Sequence, residues 1–375
     1  MFGWSLSPDR RRLAAGSDGT AELRLYDLRR LRALGDVELV EPGAHGSVFA
    51  SKWADGSRVL ATVVTPGCCG IGDTVVTAVD SNSRRVLWRR DLEGSLQAGA
   101  GYRGGFALVL ARKWAIGPSR LVVVAPGGGI RTAWLTRIRS GWQRSGKGAR
   151  FVSHRWNPGL ALDPSSGRAF VVQAGEPIAE VDLRRFSVRY HEPAEPISLL
   201  GRLRNWLDPK AEAKAMAGPE RQAIWLGDGR LAVTGIDHQA SVNSNGQEQE
   251  VDRPAGLKLI DTQNWSTRTL DRTSTSFTYT AGVLFAFGTT SAPRTEKLIG
   301  NGLTAYDAEG RELYHRYGSE PIVDLEVAPH GVLVAGAAGS SVFRRADVLE
   351  PSSGCVLGHA GFDVMLISGE EPFWF

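Results

Sequence analysis

Short stretches that are wholly apolar or alternate apolar with polar residues recur along the whole chain, separated by polar, glycine-rich breaks. Five of them share one pattern: an alternating strand, an acidic residue at its end, a turn, then a second short strand. They read LRLYDLRRLRAL from Leu23, VVTAVDSNSRRVLWRRDL from Val75, IAEVDLRRFSVRY from Ile178, LKLIDTQNWSTRTL from Leu257 and LTAYDAEGRELYHRY from Leu303. The anchoring aspartates are Asp27, Asp80, Asp182, Asp261 and Asp307. The long interval between Asp80 and Asp182 divides at LVVVAPGGGIRTAWL, where Pro126 takes the aspartate's place. A weaker seventh unit lies around SSVFRRADVLEP.

Ahead of each signature stands another strand pair, as in WSLSPDRRRLAAGSDG, SKWADGSRVLATVV, GLALDPSSGRAFVVQA, AIWLGDGRLAVTGI and VAPHGVLVAGAAGSS. Each is an apolar stretch, a polar turn and a second apolar stretch, which is the pattern of a hairpin. Four short strands per unit of about 40 to 55 residues are the mark of propeller blades. The expectation is therefore all-β: one β-propeller over residues 1–375 with seven four-stranded blades, six or eight being the alternatives. AVDSNSRRVLWRRDL and AYDAEGRELYHRYG resemble the blade repeats of pyrroloquinoline-quinone-like propellers. SPDRRRLAAGSDGTAELRLYDL resembles the repeats of WD-repeat and lactonase-like bacterial propellers. The resemblance covers almost the whole chain at the level of the repeat and implies scaffolds, receptors and enzymes alike.

Two segments break the period. Residues 193–219 include ISLLGRLRNWLDPKAEAKAM, where Leu200, Leu203 and Leu207 fall at helical spacing beside Trp206, so a short amphipathic helix is expected after blade four. Its apolar stripe would cap the propeller rim or, with Arg202 and Arg204, dock a partner or membrane surface. Residues 240–256, ASVNSNGQEQEVDRPAG, have no apolar periodicity and read as a polar loop within blade five. The C-terminal FDVMLISGEEPFWF is expected to close the ring by joining the first or last blade.

Composition adds a polarity. With 42% apolar and 22% charged residues the chain is of ordinary globular type, and 45 glycines suit a fold with many tight turns. The longest apolar runs, such as LVVVA and VLVAGAA, fall far short of the roughly 20 residues of a membrane span. No charged-then-apolar leader opens the sequence, so the expectation is a cytoplasmic protein or a form lacking its leader. Residues 94–162 hold no carboxylate, yet they carry Arg103, Arg112, Lys113, Arg120, Arg131, Arg137, Arg139, Arg144, Lys147, Arg150 and Arg155. Since the chain as a whole is +4, the charge is strongly polarised.

Alternation in IRTAWLTRI puts Arg131 and Arg137 on one face of an outer strand, facing solvent, with Trp134 and Ile138 on the other. The following RSGWQRSGKGARFVSHRW interleaves Arg139, Arg144, Lys147, Arg150 and Arg155 with Trp142, His154 and Trp156. Basic side chains beside aromatics suit phosphate, sulfated glycan, acidic lipid or an acidic protein patch. No nucleic-acid module accompanies the charge, so nucleic acid is not expected as a partner. The bland alternative is a solvated blade face whose sign is incidental.

Catalytic signatures are thin. The adjacent Cys68 and Cys69 resemble the vicinal pair of quinoprotein alcohol dehydrogenases, which implies a quinone platform. The asparagine-arginine-glycine stretch and calcium-ligating acids of that family are absent, so no cofactor is expected. One of the pair bonded to Cys355, or three free thiols, are the other readings. Seven histidines show no metal-ligand spacing, and no nucleophile elbow, Walker loop or dinucleotide fingerprint occurs. The expectation is a non-catalytic binding or assembly propeller. It would contact a protein or an anionic polymer or surface through a basic face of blades three and four, with Trp206 on the insertion as a further contact. The alternative is a lactonase-like or quinoprotein-like enzyme with its site on the central channel.

Overall fold

A computed structural model describes residues 4–16, 19–41, 44, 46–64, 72–112, 117–140, 155–192, 217–242, 248–291, 298–328, 331–338 and 341–360. They form seven sheets in chain order. Blade 1 is β1 (Trp4–Leu6), β2 (Arg12–Gly16), β3 (Glu22–Asp27) and β4 (Arg32–Glu38). Blade 2 is β5 (Ser47–Trp53), β6 (Arg58–Val64), β7 (Thr74–Asp80) and β8 (Arg85–Leu92); blade 3 is β9 (Ser95–Tyr102), β10 (Gly105–Ala111), β11 (Gly117–Val124) and β12 (Ile130–Ser140). A short β13 (Arg155–Asn157) precedes blade 4, which is β14 (Gly159–Asp163), β15 (Arg168–Val172), β16 (Ile178–Asp182) and β17 (Ser187–His191). Blade 5 has β18 (Ala217–Gly227), β19 (Arg230–Val242), an added β20 (Glu248–Pro254), β21 (Leu257–Asp261) and β22 (Thr267–Asp271). Blade 6 is β23 (Ser276–Thr280), β24 (Val283–Ser291), β25 (Leu298–Asp307) and β26 (Glu312–Arg316); blade 7 is β27 (Ile322–Ala328), β28 (Gly331–Ala338), β29 (Ser341–Leu349) and β30 (Val356–Ala360).

Each blade is an antiparallel meander, so sequence neighbours are also spatial neighbours. The blades stack face to face, and the alternation within a strand shows how. In β10, Phe106, Leu108 and Leu110 pack on Leu60, Val76 and Ala78 of blade 2, while Ala107 and Val109 pack on Leu160, Val171 and Val181 of blade 4. Both faces of the strand are therefore buried, which is why the second strands are continuous apolar runs rather than alternating ones. Successive clusters join blades 1 and 2, 2 and 3, 3 and 4, 4 and 5, 5 and 6, and 6 and 7. Leu13 and Ala15 are buried on the face of blade 1 turned away from blade 2. Each large side chain buried in this way is worth about 1.5–3 kcal/mol, and the fourth strands, with one face in water, contribute less.

The repeated aspartate closes a turn. After the third strand of blades 1, 2 and 4, the carboxylate of Asp27, Asp80 or Asp182 accepts the backbone N–H groups two and three residues on. In blades 2, 4 and 5 the N–H four residues on donates to the aspartate's own carbonyl, 2.6–2.7 Å away. That fourth residue is left-handed: Leu31, Arg84, Phe186 and Trp265 have φ between 47° and 61°. The conformation costs about 1 kcal/mol or more for a side chain other than glycine, and the carboxylate bonds offset it. The same N–H bonds pull Asp80 and Asp182 below the ordinary carboxylate range. Blade 7 builds the turn from Glu350, whose carboxyl the Ser353 and Ser352 hydroxyls hold at about 2. In blade 3, Pro126 follows β11 and the turn closes through Ala125 and Gly128 instead.

Two boundaries differ from the expectation. The insertion expected over 193–219 ends earlier, because residues 217–219 already belong to β18; Leu200, Leu203, Trp206 and Leu207 lie outside the described residues. The segment expected as a polar loop over 240–256 is largely strand: β19 and β20 pair from Ile236↔Pro254 to Val242↔Glu248 as a projecting hairpin. Backbone pairing needs no apolar face, so a mainly polar ribbon with only scattered apolar residues gives no alternation to read. The C-terminal FDVMLISGEEPFWF lies outside the described residues, and all four described strands of blade 7 come from 322–360.

Candidate functional site

First strands run in parallel directions around the stack, which separates the connections into two sets. Those joining first to second and third to fourth strands lie at one end and are short, from 103–104 to 350–355. The others lie at the opposite end, where the described strands break off before residues 141–154 and 193–216 and where the β19–β20 hairpin extends. Connections on a rigid frame are where binding residues concentrate. After the first of these breaks β13 pairs in parallel with β18 of blade 5, Arg155↔Ala217 and Asn157↔Glu220. The Asn157 side chain donates to the Glu220 carboxylate at 2.7 Å. The described ends of both long connections thus meet at one pair, Arg155 with Ala217.

On the rim, β12 of blade 3 lies against β17 of blade 4. The Arg131 guanidinium sits 4.1 Å from the Phe186 ring centroid and donates to the Arg184 carbonyl at 2.9 Å. Arg137 lies over Tyr190 and pairs with Glu192 at 3.0 Å. Arg139 is fixed through its backbone, since its N–H and C=O both bond to the Gln173 amide. All three arginines are exposed, as expected, and Arg131 and Arg137 additionally clamp blade 4. Arg184, Arg185 and Arg189 of blade 4 are also exposed; the Arg184 carbonyl takes the Arg131 bond, while alternation along β17 puts Arg189 on the face of His191, which stacks on Trp265 of blade 5. Sequence reading missed these three as site residues because they stand in a repeat signature, and only packing brings that signature next to β12.

One expectation about this strand is corrected. Trp134 is 55% exposed while Ala133, Leu135 and Ile138 are buried, so Trp134 and Ile138 do not share a face. The cause is a bulge: Ser119 pairs with Leu135 but Pro118 pairs with Arg139, so the side-chain phase slips between them. The exposed Trp134 ring carries the Arg120 guanidinium 5.4 Å from its centroid. Trp142, Arg144, Lys147, Arg150 and Trp206 lie outside the described residues, as do Cys68 and Cys69; Arg155 is described by backbone alone and sits at the inner edge of blade 5, away from the rim.

Cys355 is a free, exposed thiol in the short turn between β29 and β30. Its expected partners, Cys68 and Cys69, lie outside the described residues.

The seam between blades 4 and 5 holds a buried polar network. Asp163, 2% exposed, takes the Ser165 and Ser166 hydroxyls and N–H groups and the Arg168 guanidinium. Burial pushes its pKa up, but these donors outweigh burial and hold it at about 2. Arg168 also bonds Glu180, which binds His191 at 2.7 Å, and His191 stacks on Trp265 with centroids 3.7 Å apart. Asp347 in blade 7 binds His359 at 2.8 Å and receives the Tyr317 hydroxyl at 2.9 Å. Among the described residues no three His, Cys, Asp or Glu side chains are grouped to hold a metal ion, and no helix is long and apolar enough to cross a membrane.

Seven stacked antiparallel units of four or more strands make the chain a β-propeller. No protein-family model matches the sequence, and no curated protein does. Among solved structures it is similar to a dihydro-heme d1 dehydrogenase, NirN, in complex with DHE, at 14% identity and TM-score 0.56; the match covers 95% of this chain and 65% of that one. It is also similar to the WD40 domain of Toxoplasma gondii coronin, at 10% identity and TM-score 0.47 over 95% of this chain and 83% of that one. BamB from Moraxella catarrhalis matches at 12% identity and TM-score 0.45 over 89% and 81%. At such identities the likeness speaks for the fold, and neighbours of mixed roles leave function to the site.

Proposed function

We propose that this propeller is a binding module that presents the rim of blades 3 and 4 to an acidic protein surface. The carrying observation is the set of exposed arginines on the outer strand of blade 3 and on the last turn and outer strand of blade 4, Arg131, Arg137 and Arg139 with Arg184, Arg185 and Arg189, of which Arg137 pairs with Glu192. Trp134 and Ile130, 55% and 41% exposed, lie on the same outer strand. Arginine mixed with exposed aromatic and aliphatic side chains is the composition of a protein-binding patch rather than of a merely solvated face. The clamps to Phe186 and Tyr190 hold two of the guanidiniums in place, which lowers the entropy lost on binding. By sequence, Arg144, Lys147 and Arg150 add charge to the connection that follows β12.

The test uses Arg139, Arg185 and Arg189, whose reversal to glutamate leaves the Arg131 and Arg137 clamps intact. The triple variant and the native protein are compared for capture of partners from the source extract and for retention on immobilised polyglutamate and heparin, at low and physiological salt. Salt-sensitive capture of a protein with an acidic surface, lost in the variant at unchanged melting temperature, supports the reading. Capture that is equal for both proteins overturns it. Retention on the polymers with no protein captured replaces the protein partner by an anionic polymer.

A further inference from the structure

We infer that the channel wall between blades 1, 2 and 3 holds a binding site for a small organic anion with an apolar body. The inference rests on a cavity of about 500 Å³ at the short-turn end of the inner strands and does not depend on the rim. That volume is within the range of small-molecule sites, about 300–1,000 Å³. One wall is apolar, formed by Phe49, Phe106 and Leu108. The polar lining is Ser5 and Ser51, whose hydroxyls lie 3.2 Å apart, with Lys52 and the exposed Arg10. Among the described residues no carboxylate lines it; the nearby Asp9 is taken by the Ser7 hydroxyl and the Arg11 N–H.

Lys52 is the centre of the argument. It is half-buried on β5 and, among the described residues, has neither an ion pair nor a hydrogen bond. A cation drawn partly out of water without a counter-charge is costly, and an anionic ligand would supply that charge. Its room is made by Gly101 on β9, where a Cβ would stand 2.3 Å from the lysine Nζ. Gly99, two residues earlier on the same strand, keeps the wall open next to Leu108. The Trp53 indole N–H is satisfied by the Ser5 carbonyl at 2.9 Å, so the tryptophan fixes the wall of the cavity and does not itself offer a donor to a ligand.

Two probes share one aromatic body and differ in charge: 8-anilinonaphthalene-1-sulfonate and the uncharged N-phenyl-1-naphthylamine. Titration of the folded protein with each, followed by fluorescence, is expected to give one site that prefers the sulfonate at least tenfold. Lys52→Met should cost the sulfonate at least tenfold and leave the uncharged probe within about twofold, while Lys52→Arg should restore most of the preference. Should the methionine variant fail to fold, Lys52→Gln makes the same comparison. Equal affinity for the two probes, no saturable binding of the sulfonate, or sulfonate binding unchanged in Lys52→Met or Lys52→Gln would each overturn the inference. Because the rim arginines are untouched, loss of rim binding and loss of this site are separate outcomes.

Discussion

Replacing Asp163 by asparagine should destabilise the propeller by an amount that depends on pH in a specified way. The carboxylate is 2% exposed and receives two hydroxyls, two N–H groups and the Arg168 guanidinium, which hold its pKa at about 2 against an ordinary 3.8. A depression of that size corresponds to about 2.5 kcal/mol, at roughly 1.36 kcal/mol for each tenfold change in proton affinity. Because the folded-state pKa is depressed, the contribution is complete above about pH 5, falls to roughly half by pH 3 and is nearly gone at pH 2. The asparagine of Asp163→Asn keeps the shape and one acceptor but carries no charge, so the variant should lose about 2–3 kcal/mol at pH 7 and only about 1 kcal/mol at pH 3. Urea unfolding of both proteins at the two pH values, followed by tryptophan fluorescence, measures the gap. A gap as wide at pH 3 as at pH 7 would refute the assignment of this stability to the ionised carboxylate, and no gap at pH 7 would refute the network itself.

The other expectations are simpler to state. A Cβ at Gly105 would stand 2.0 Å from the Val124 carbonyl oxygen inside blade 3, whereas one at Gly127 meets nothing within 4 Å; Gly105→Ala should cost about 3 kcal/mol by urea midpoint and Gly127→Ala almost nothing. Asp80→Ala removes the acceptor for the Asn82 and Ser83 N–H groups while Arg84 stays left-handed, so it should cost about 1 kcal/mol, and a neutral result would show that the turn closes without the carboxylate. Arg137→Ala breaks an exposed pair with Glu192 and a contact with Tyr190, and a loss above about 1 kcal/mol in denaturant would mean that the rim arginines are chiefly structural. Cys355 should react with a maleimide in the native protein without a change in melting temperature, as read by peptide mapping; protection would contradict its exposed position.

The repeat alone determined the architecture of this protein. The aspartate at the end of the third strand in five blades is a local device, since its carboxylate bonds the next few N–H groups and lets a side chain such as Arg84 or Phe186 take a left-handed conformation. Local chemistry of this kind is written in neighbouring residues and is legible without coordinates. Apolar runs too short for a helix and too continuous for a half-exposed strand likewise implied sheets buried on both faces. Tertiary structure decided what depends on residues far apart. The bulge opposite Pro118 and Ser119 put Ile138 on the buried face that Trp134 does not share, because a slip by an odd number of residues reverses every side chain beyond it. Packing of blade 4 on blade 3 brought the Arg184 turn to Arg131 and occupied two of the expected contact residues with Phe186, Tyr190 and Glu192. The cavity around Lys52 draws on three blades, and no spacing along the chain encodes it, because its walls come from residues 5, 49–53 and 99–108 that meet only when the inner strands line the channel.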